Sequence, residues 1–145
     1  MAGIKVTLRD PDNSTQLIHA EFATARSFPV MKELLQKIAK TDNLESVAGR
    51  KRELAEAKLM DASTSEEAEA AGVALQTATE EVTAASMALF DAIREFVFKG
   101  YQLAGAPDDL AEKLADITDV ENLPILKAKC LYGAGCLDFT KAAGQ

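Results

Sequence analysis

The sequence predicts a mainly helical α+β protein: an N-terminal β-hairpin packed on a helical core, with a long helical-hairpin arm. Three observations carry this. Residues 4–9 and 16–22 alternate apolar and polar side chains in steps of two. Residues 30–38 and 87–98 place large apolar groups at helical spacing. Residues 44–85 keep a helical composition but carry few large apolar groups.

In the hairpin, Ile4, Val6 and Leu8 share one face, with Lys5, Thr7 and Arg9 on the other. Asp10-Pro11-Asp12-Asn13-Ser14 is dense in turn residues, because Pro fixes φ and Asx side chains bond their own backbone. A second alternation over 16–22 puts Ile18, Ala20 and Phe22 together, so a loop of about five residues joins two strands. Two strands are marginal alone, and their apolar face needs a helix. That helix is expected to begin at Pro29, with Ser27 as a cap, and to cover the hairpin with Val30, Met31, Leu34, Leu35 and Ile38. Thr41-Asp42-Asn43 is expected to break it.

From Leu44 to Met60 the apolar residues Leu44, Val47, Leu54 and Leu59 are sparse among Arg, Lys, Glu and Ala. Ser63 with Glu66, or Thr64 with Glu67, fits a capping box, and a long helix is expected from about Ser65 to Phe98. Its first half is rich in Ala, Glu and Thr. The segments on either side of the restart, together residues 44–85, read as an antiparallel helical-hairpin arm or insert in a single domain, and no simple heptad repeat is sustained in them. Gly100 is placed to end or bend the long helix. Pro107-Asp108-Asp109-Leu110 starts a short helix with acidic residues at its positive end, and Leu110, Leu114 and Ile117 form its buried face. Thr118 with Glu121 suggests a capping box before a last helix through Leu131. Gly133 and Gly135 stop that helix, and residues 138–145 are expected to form a loose tail.

A chain of 145 residues with net charge −7 and a pI of about 4.8 fits one modest core and carries no basic face for phosphates. Arg50-Lys51-Arg52 runs straight into Glu53 and Glu56 and reads as a solvated helix face. Neither nucleic acid nor an anionic membrane is an expected partner. No apolar run is long enough to span a bilayer, and the segment from Met1 has no signal-peptide character. A cytoplasmic setting follows, with Cys130 and Cys136 as reduced thiols. Asn13-Ser14-Thr15 is then only a polar turn.

Catalytic chemistry finds little support in the sequence. Cys130 and Cys136 match no metal or redox spacing, with His19 alone to complete a ligand set. His19 sits beside Glu21 on the outward strand face. Asp108 and Asp109 are explained by the helix start. Gly133-Ala134-Gly135 follows a helix instead of preceding one, so it is no phosphate cradle. No enzyme activity, metal or cofactor is expected.

The positive signal is an apolar excess. Phe96, Val97, Phe98, Tyr101 and Leu103 crowd more than one face of the long helix, which fits the centre of a core or an interface. With Leu110 and Leu114 they are the expected protein-binding residues. The open edges of the hairpin offer a further route, by strand addition.

The Ile4–Asp10 strand, Phe22, the Met31-Lys32-Glu33-Leu34-Leu35 helix and the run Ala92-Ile93-Arg94-Glu95-Phe96-Val97-Phe98-Lys99-Gly100-Tyr101 resemble tail assembly chaperones of long-tailed bacteriophages. So do Pro107-Asp108-Asp109-Leu110 and Leu123-Pro124-Ile125-Leu126. The resemblance covers residues 3–40 and 86–132 and consists of element order and apolar spacing. Residues 44–85 depart from the compact family pattern. The resemblance implies binding to the tape measure protein before the tail tube protein polymerises around it, self-association into a homo-oligomer, a host cytoplasmic location and often a longer frameshifted product. A structural virion or head–tail adaptor protein, or another small helical binding module, is the alternative.

Overall fold

The computed structural model describes residues 3–133 and 135–139. The protein is mainly helical, with a small sheet. In chain order it comprises β1 (Gly3–Arg9), β2 (Leu17–Ala23), α1 (Pro29–Asp61), α2 (Ser65–Leu103), α3 (Asp108–Ile117), one 3₁₀ turn (Val120–Asn122), α4 (Leu123–Tyr132) and β3 (Cys136–Asp138). It divides into two compact units, Met1–Gln36 with Arg94–Gln145, and Lys37–Ile93. The expected arm over 44–85 falls inside the second unit, whose bounds lie further out along α1 and α2.

In the first unit β1 and β2 pair antiparallel with Ile4 opposite Phe22, Val6 opposite Ala20 and Leu8 opposite Ile18. The two apolar alternations thus meet on one face, as their period requires. The connection is longer than expected, because Asn13 Oδ1 accepts from the Thr15 N–H and hydroxyl and holds the turn closed up to Gln16. Asp10 Oδ1 accepts from the Asp12 N–H at 2.9 Å, and Lys113 on α3 reaches Asp10 and Asp12 at 3.3 and 3.5 Å. These donors hold the Asp10 carboxyl below its ordinary range, the Asp12 N–H first among them.

The sheet has a third strand that the alternation did not announce. β3 runs parallel to β1 on the side away from β2, giving the order β2-β1-β3. Of the expected loose tail, Asp138 lies in β3, and Phe139 is buried with its N–H donating to Thr7 O at 2.8 Å. Residues 140–145 lie outside the described residues. Three residues are too few for a periodic signal; β1 supplies the register. Of the hairpin edges expected to be open for strand addition, that of β1 is occupied.

Phe22 is the centre of this unit. Its ring lies 5.2 Å from Phe96 and 5.2 Å from Tyr101, the latter edge-on at 88°. Met31, Leu114, Leu126 and Cys130 complete a core of fully buried side chains. Thr118 Oγ1 donates to Leu114 O at 2.6 Å, so its lone pair is left for the Tyr101 hydroxyl, which donates to it at 2.9 Å. Burial pushes the Tyr101 phenol up to about 12. Gly100 does not end α2, which continues to Leu103; the Phe22 ring lies where a side chain at this position would stand.

Helix ends follow local chemistry, with differences from the expected caps. Ser27 donates its N–H to Thr24 Oγ1 and leaves the start of α1 to Phe28, whose carbonyl accepts from the Met31 N–H. Asp119, not Thr118, caps the 3₁₀ turn, accepting from the Glu121 N–H at 3.0 Å. Gly133 ends α4 with φ 69°, a left-handed value that glycine adopts without strain.

The second unit is an antiparallel helical hairpin. Thr64 Oγ1 caps α2 by accepting from the Glu67 N–H, and Glu67 reaches back to the Ser63 N–H at 3.0 Å, which lowers the Glu67 carboxyl. The break expected at Thr41-Asp42-Asn43 is absent. Thr41 Oγ1 lies 2.9 Å from Lys37 O and 3.0 Å from Ile38 O, so its hydroxyl is satisfied inside the helix and the chain has no reason to leave it. A heptad seam is also present after all. In α2, Ala68, Ala71, Leu75, Ala78, Val82, Ala85, Leu89 and Ala92 are buried or half-buried, at alternating steps of three and four. In α1 the same steps run through Ile38, Thr41, Glu45, Ala48, Arg52, Ala55 and Leu59, with Ala48 and Ala55 buried. Alanine obscured the pattern, since it is too common in any helix to mark a seam, and Glu45 and Arg52 occupy two of its places. Glu45 is matched by Ser86, whose hydroxyl donates to it at 2.6 Å.

Gly100→Ala tests the packing of the first unit. The change favours helix by about 1 kcal/mol, whereas overpacking costs about 1–3 kcal/mol. A lower urea midpoint is expected, and an unchanged or higher one would show that Phe22 moves aside freely.

Candidate protein-binding surface

The residues expected to bind partners separate on folding. Phe96, Val97, Tyr101 and Leu114 are buried in the first unit, Phe96 and Tyr101 against Phe22. They form the core and present no surface in this conformation. Phe98, Leu103 and Leu110 are half-buried. Leu110 alone of the seven lines a groove of about 640 Å³, with the turn Ala104–Pro107 beside it and Lys5, Thr7, His19 and Glu21 on the strands. The apolar groups crowd the end of α2 because the sheet, through Phe22, and the end of α3, through Thr118, both take side chains from it.

Large apolar side chains are exposed elsewhere. In the second unit Leu44, Val47, Leu54, Met60, Val73, Met87 and Phe90 all face outward, Met87 and Phe90 being 65 % and 63 % exposed. The seam explains this. Alanine fills the most buried places, so the larger residues of the same helices stand outside. Val73 and Met87 occupy equivalent heptad places two repeats apart on α2, with Phe90 three residues beyond Met87. Isolated exposed apolar residues are ordinary, whereas this hairpin buries alanine at its seam and exposes Leu, Val, Met and Phe together. A sequence reading that admitted alanine as a seam residue would have found it.

The His and Cys side chains near the strands are paired or open to solvent. His19 is exposed and its Nδ1 lies 3.3 Å from Thr7 Oγ1 across the β1–β2 pair. Cys130 is buried, its thiol donating to Ala23 O at 3.4 Å, and burial pushes it up to about 11. Cys136 is exposed on β3. Asp108 and Asp109 are exposed in the first turn of α3, where Asp108 accepts from Gln102 Nε2 at 2.9 Å. Among the described residues no group of three or more His, Cys, Asp or Glu side chains is placed to hold a metal ion, and no helix is long and apolar enough to cross a membrane.

No family model, curated protein or solved structure matches the chain.

The cysteine environments predict the thiol count. At pH 8 one thiol per native chain, Cys136, should react promptly with a disulfide reagent, and Cys130 only after denaturant is added. Two fast thiols in the native protein would contradict the burial of Cys130.

Proposed function

We propose that this protein binds other proteins without catalysis and serves as a phage tail assembly chaperone, holding the tape measure protein and self-associating in the host cytoplasm before the tail tube protein assembles. One observation carries the binding reading: the second unit buries alanine and turns Leu44, Leu54, Val73, Met87 and Phe90 outward. A partner with long apolar helices is the natural complement, since an amphipathic helix docks by apolar residues at spacings of three and four. The outward row Val73, Met87 and Phe90 on α2 is the place we assign to it. The net charge of −7 keeps a chain with such a surface dispersed and turns it away from nucleic acid. The resemblance of residues 3–40 and 86–132 to tail assembly chaperones supplies the partner's identity.

Co-expression with the tape measure protein of the same genome is the test. The tape measure protein should become soluble and co-purify with the wild-type chain. A Met87→Asp/Phe90→Asp variant should lose the complex while keeping its helix content, because both side chains are exposed. Equal tape measure solubility with and without the chain would refute the reading. Recovery of the chain from mature particles would favour the adaptor alternative.

A further inference from the structure

Beside the alanine seam the second unit carries another face with the same spacing. On α1 it consists of Leu44, Val47, Lys51, Leu54 and Lys58, and on α2 of Ala74, Thr77, Glu81, Ala84 and Ala88, all exposed. Lys51, Leu54 and Lys58 line one groove of about 400 Å³ with Ala74, Thr77 and Glu81, so the two rows border the same groove. We propose that a second copy of this chain docks on this face, forming a four-helix bundle in which α1 of each copy lies over α2 of the other. The proposal rests on the self-association in the reading above and gives it a place.

The choice of a second copy comes from the complementarity of the face with itself. Lys51 lies level with Glu81 at 3.7 Å, and Glu45 level with Ser86. Counting outward from these pairs puts Leu44 level with Ala88, Val47 with Ala84, Leu54 with Thr77 and Lys58 with Ala74. A two-fold axis parallel to the helices preserves level and exchanges α1 for α2. It sets Leu44, Val47, Leu54 and Lys58 of one copy over smaller side chains of the other, which is how facing helices interdigitate. It also places Lys51 against the partner's Glu81, so that two lysines and two glutamates alternate in sign around the axis. A two-fold axis perpendicular to the helices would instead stack α1 on α1, bringing Leu44 toward Lys58 and lysine toward lysine. Either axis makes every neighbouring helix pair antiparallel, which suits the helix dipoles, and the parallel axis leaves Val73, Met87 and Phe90 outside the contact. An isologous patch of this kind closes at two copies.

Sedimentation equilibrium of the full chain tests this. The wild type should be a dimer, and Leu44→Asp/Leu54→Asp should be monomeric with unchanged helix content, since both residues are exposed. Lys51→Glu and Glu81→Lys should each weaken the dimer by at least about tenfold. Each also loses the pair within its own hairpin, so the deciding sample is their equimolar mixture. Across the contact the mixture restores both opposite-charge pairs while leaving both internal pairs repulsive, and it should form the heterodimer. A mixture that stays monomeric overturns the proposal. A wild-type dimer untouched by Leu44→Asp/Leu54→Asp overturns the face and leaves self-association standing, and a monomeric wild type overturns both. Loss of the tape measure complex in Leu44→Asp/Leu54→Asp, with a monomeric wild type, would assign the face to that partner.

Discussion

Alanine at every seventh position of α2 is the constraint on which the second unit depends. Ala71, Ala78, Ala85 and Ala92 leave little side chain between the helices, so α1 and α2 are free to approach closely at this seam. Small side chains contribute little apolar burial, at about 25 cal/mol per Å². The hairpin is therefore held by many weak contacts, helped by the Thr64–Glu67 cap and the Glu45–Ser86 bond. The same economy inside leaves Leu44, Leu54, Met87 and Phe90 unburied outside. The exposed apolar surface follows from the way the seam is built.

The first unit is organised in the opposite manner. Large side chains converge on Phe22, with Phe96 and Tyr101 against its ring and Gly100 giving way to it. Tyr101 is matched to Thr118, Thr118 to Leu114 O, and the Cys130 thiol to Ala23 O. Such packing fixes one arrangement of sheet and helices. It also accounts for the burial of Phe96, Val97, Tyr101 and Leu114, which a surface role would have required to be open.

Legibility in the sequence tracked the size of the side chain doing the work. Ile4, Val6 and Leu8 against Ile18, Ala20 and Phe22 announced the hairpin and its apolar face, because strand periodicity with large residues has few competing explanations. Pro29, Thr64-x-x-Glu67 and Gly133 marked helix ends through chemistry that acts within a few residues. What escaped depended on distant partners or on small residues. β3 is three residues long and takes its strand form from β1. Thr41 looked like a breaker, yet its hydroxyl finds a carbonyl one turn back. The alanine seam hid in a composition that favours helix everywhere. Four of the expected binding residues, Phe96, Val97, Tyr101 and Leu114, are buried for a related reason: apolar density does not tell a crowded core from an exposed surface, and only the third dimension separates Phe96 from Phe90.

The central claim, that the second unit presents large apolar side chains for another chain to bury, is tested most directly by mild peroxide oxidation of the methionines, read by mass spectrometry with and without the tape measure protein. Met60 and Met87 are exposed and Met31 is fully buried. In the free chain Met60 and Met87 should oxidise quickly and Met31 slowly, and on binding Met87 should become protected while Met31 stays unchanged. A Met87 that oxidises at the same rate in the free and bound chain would contradict the account.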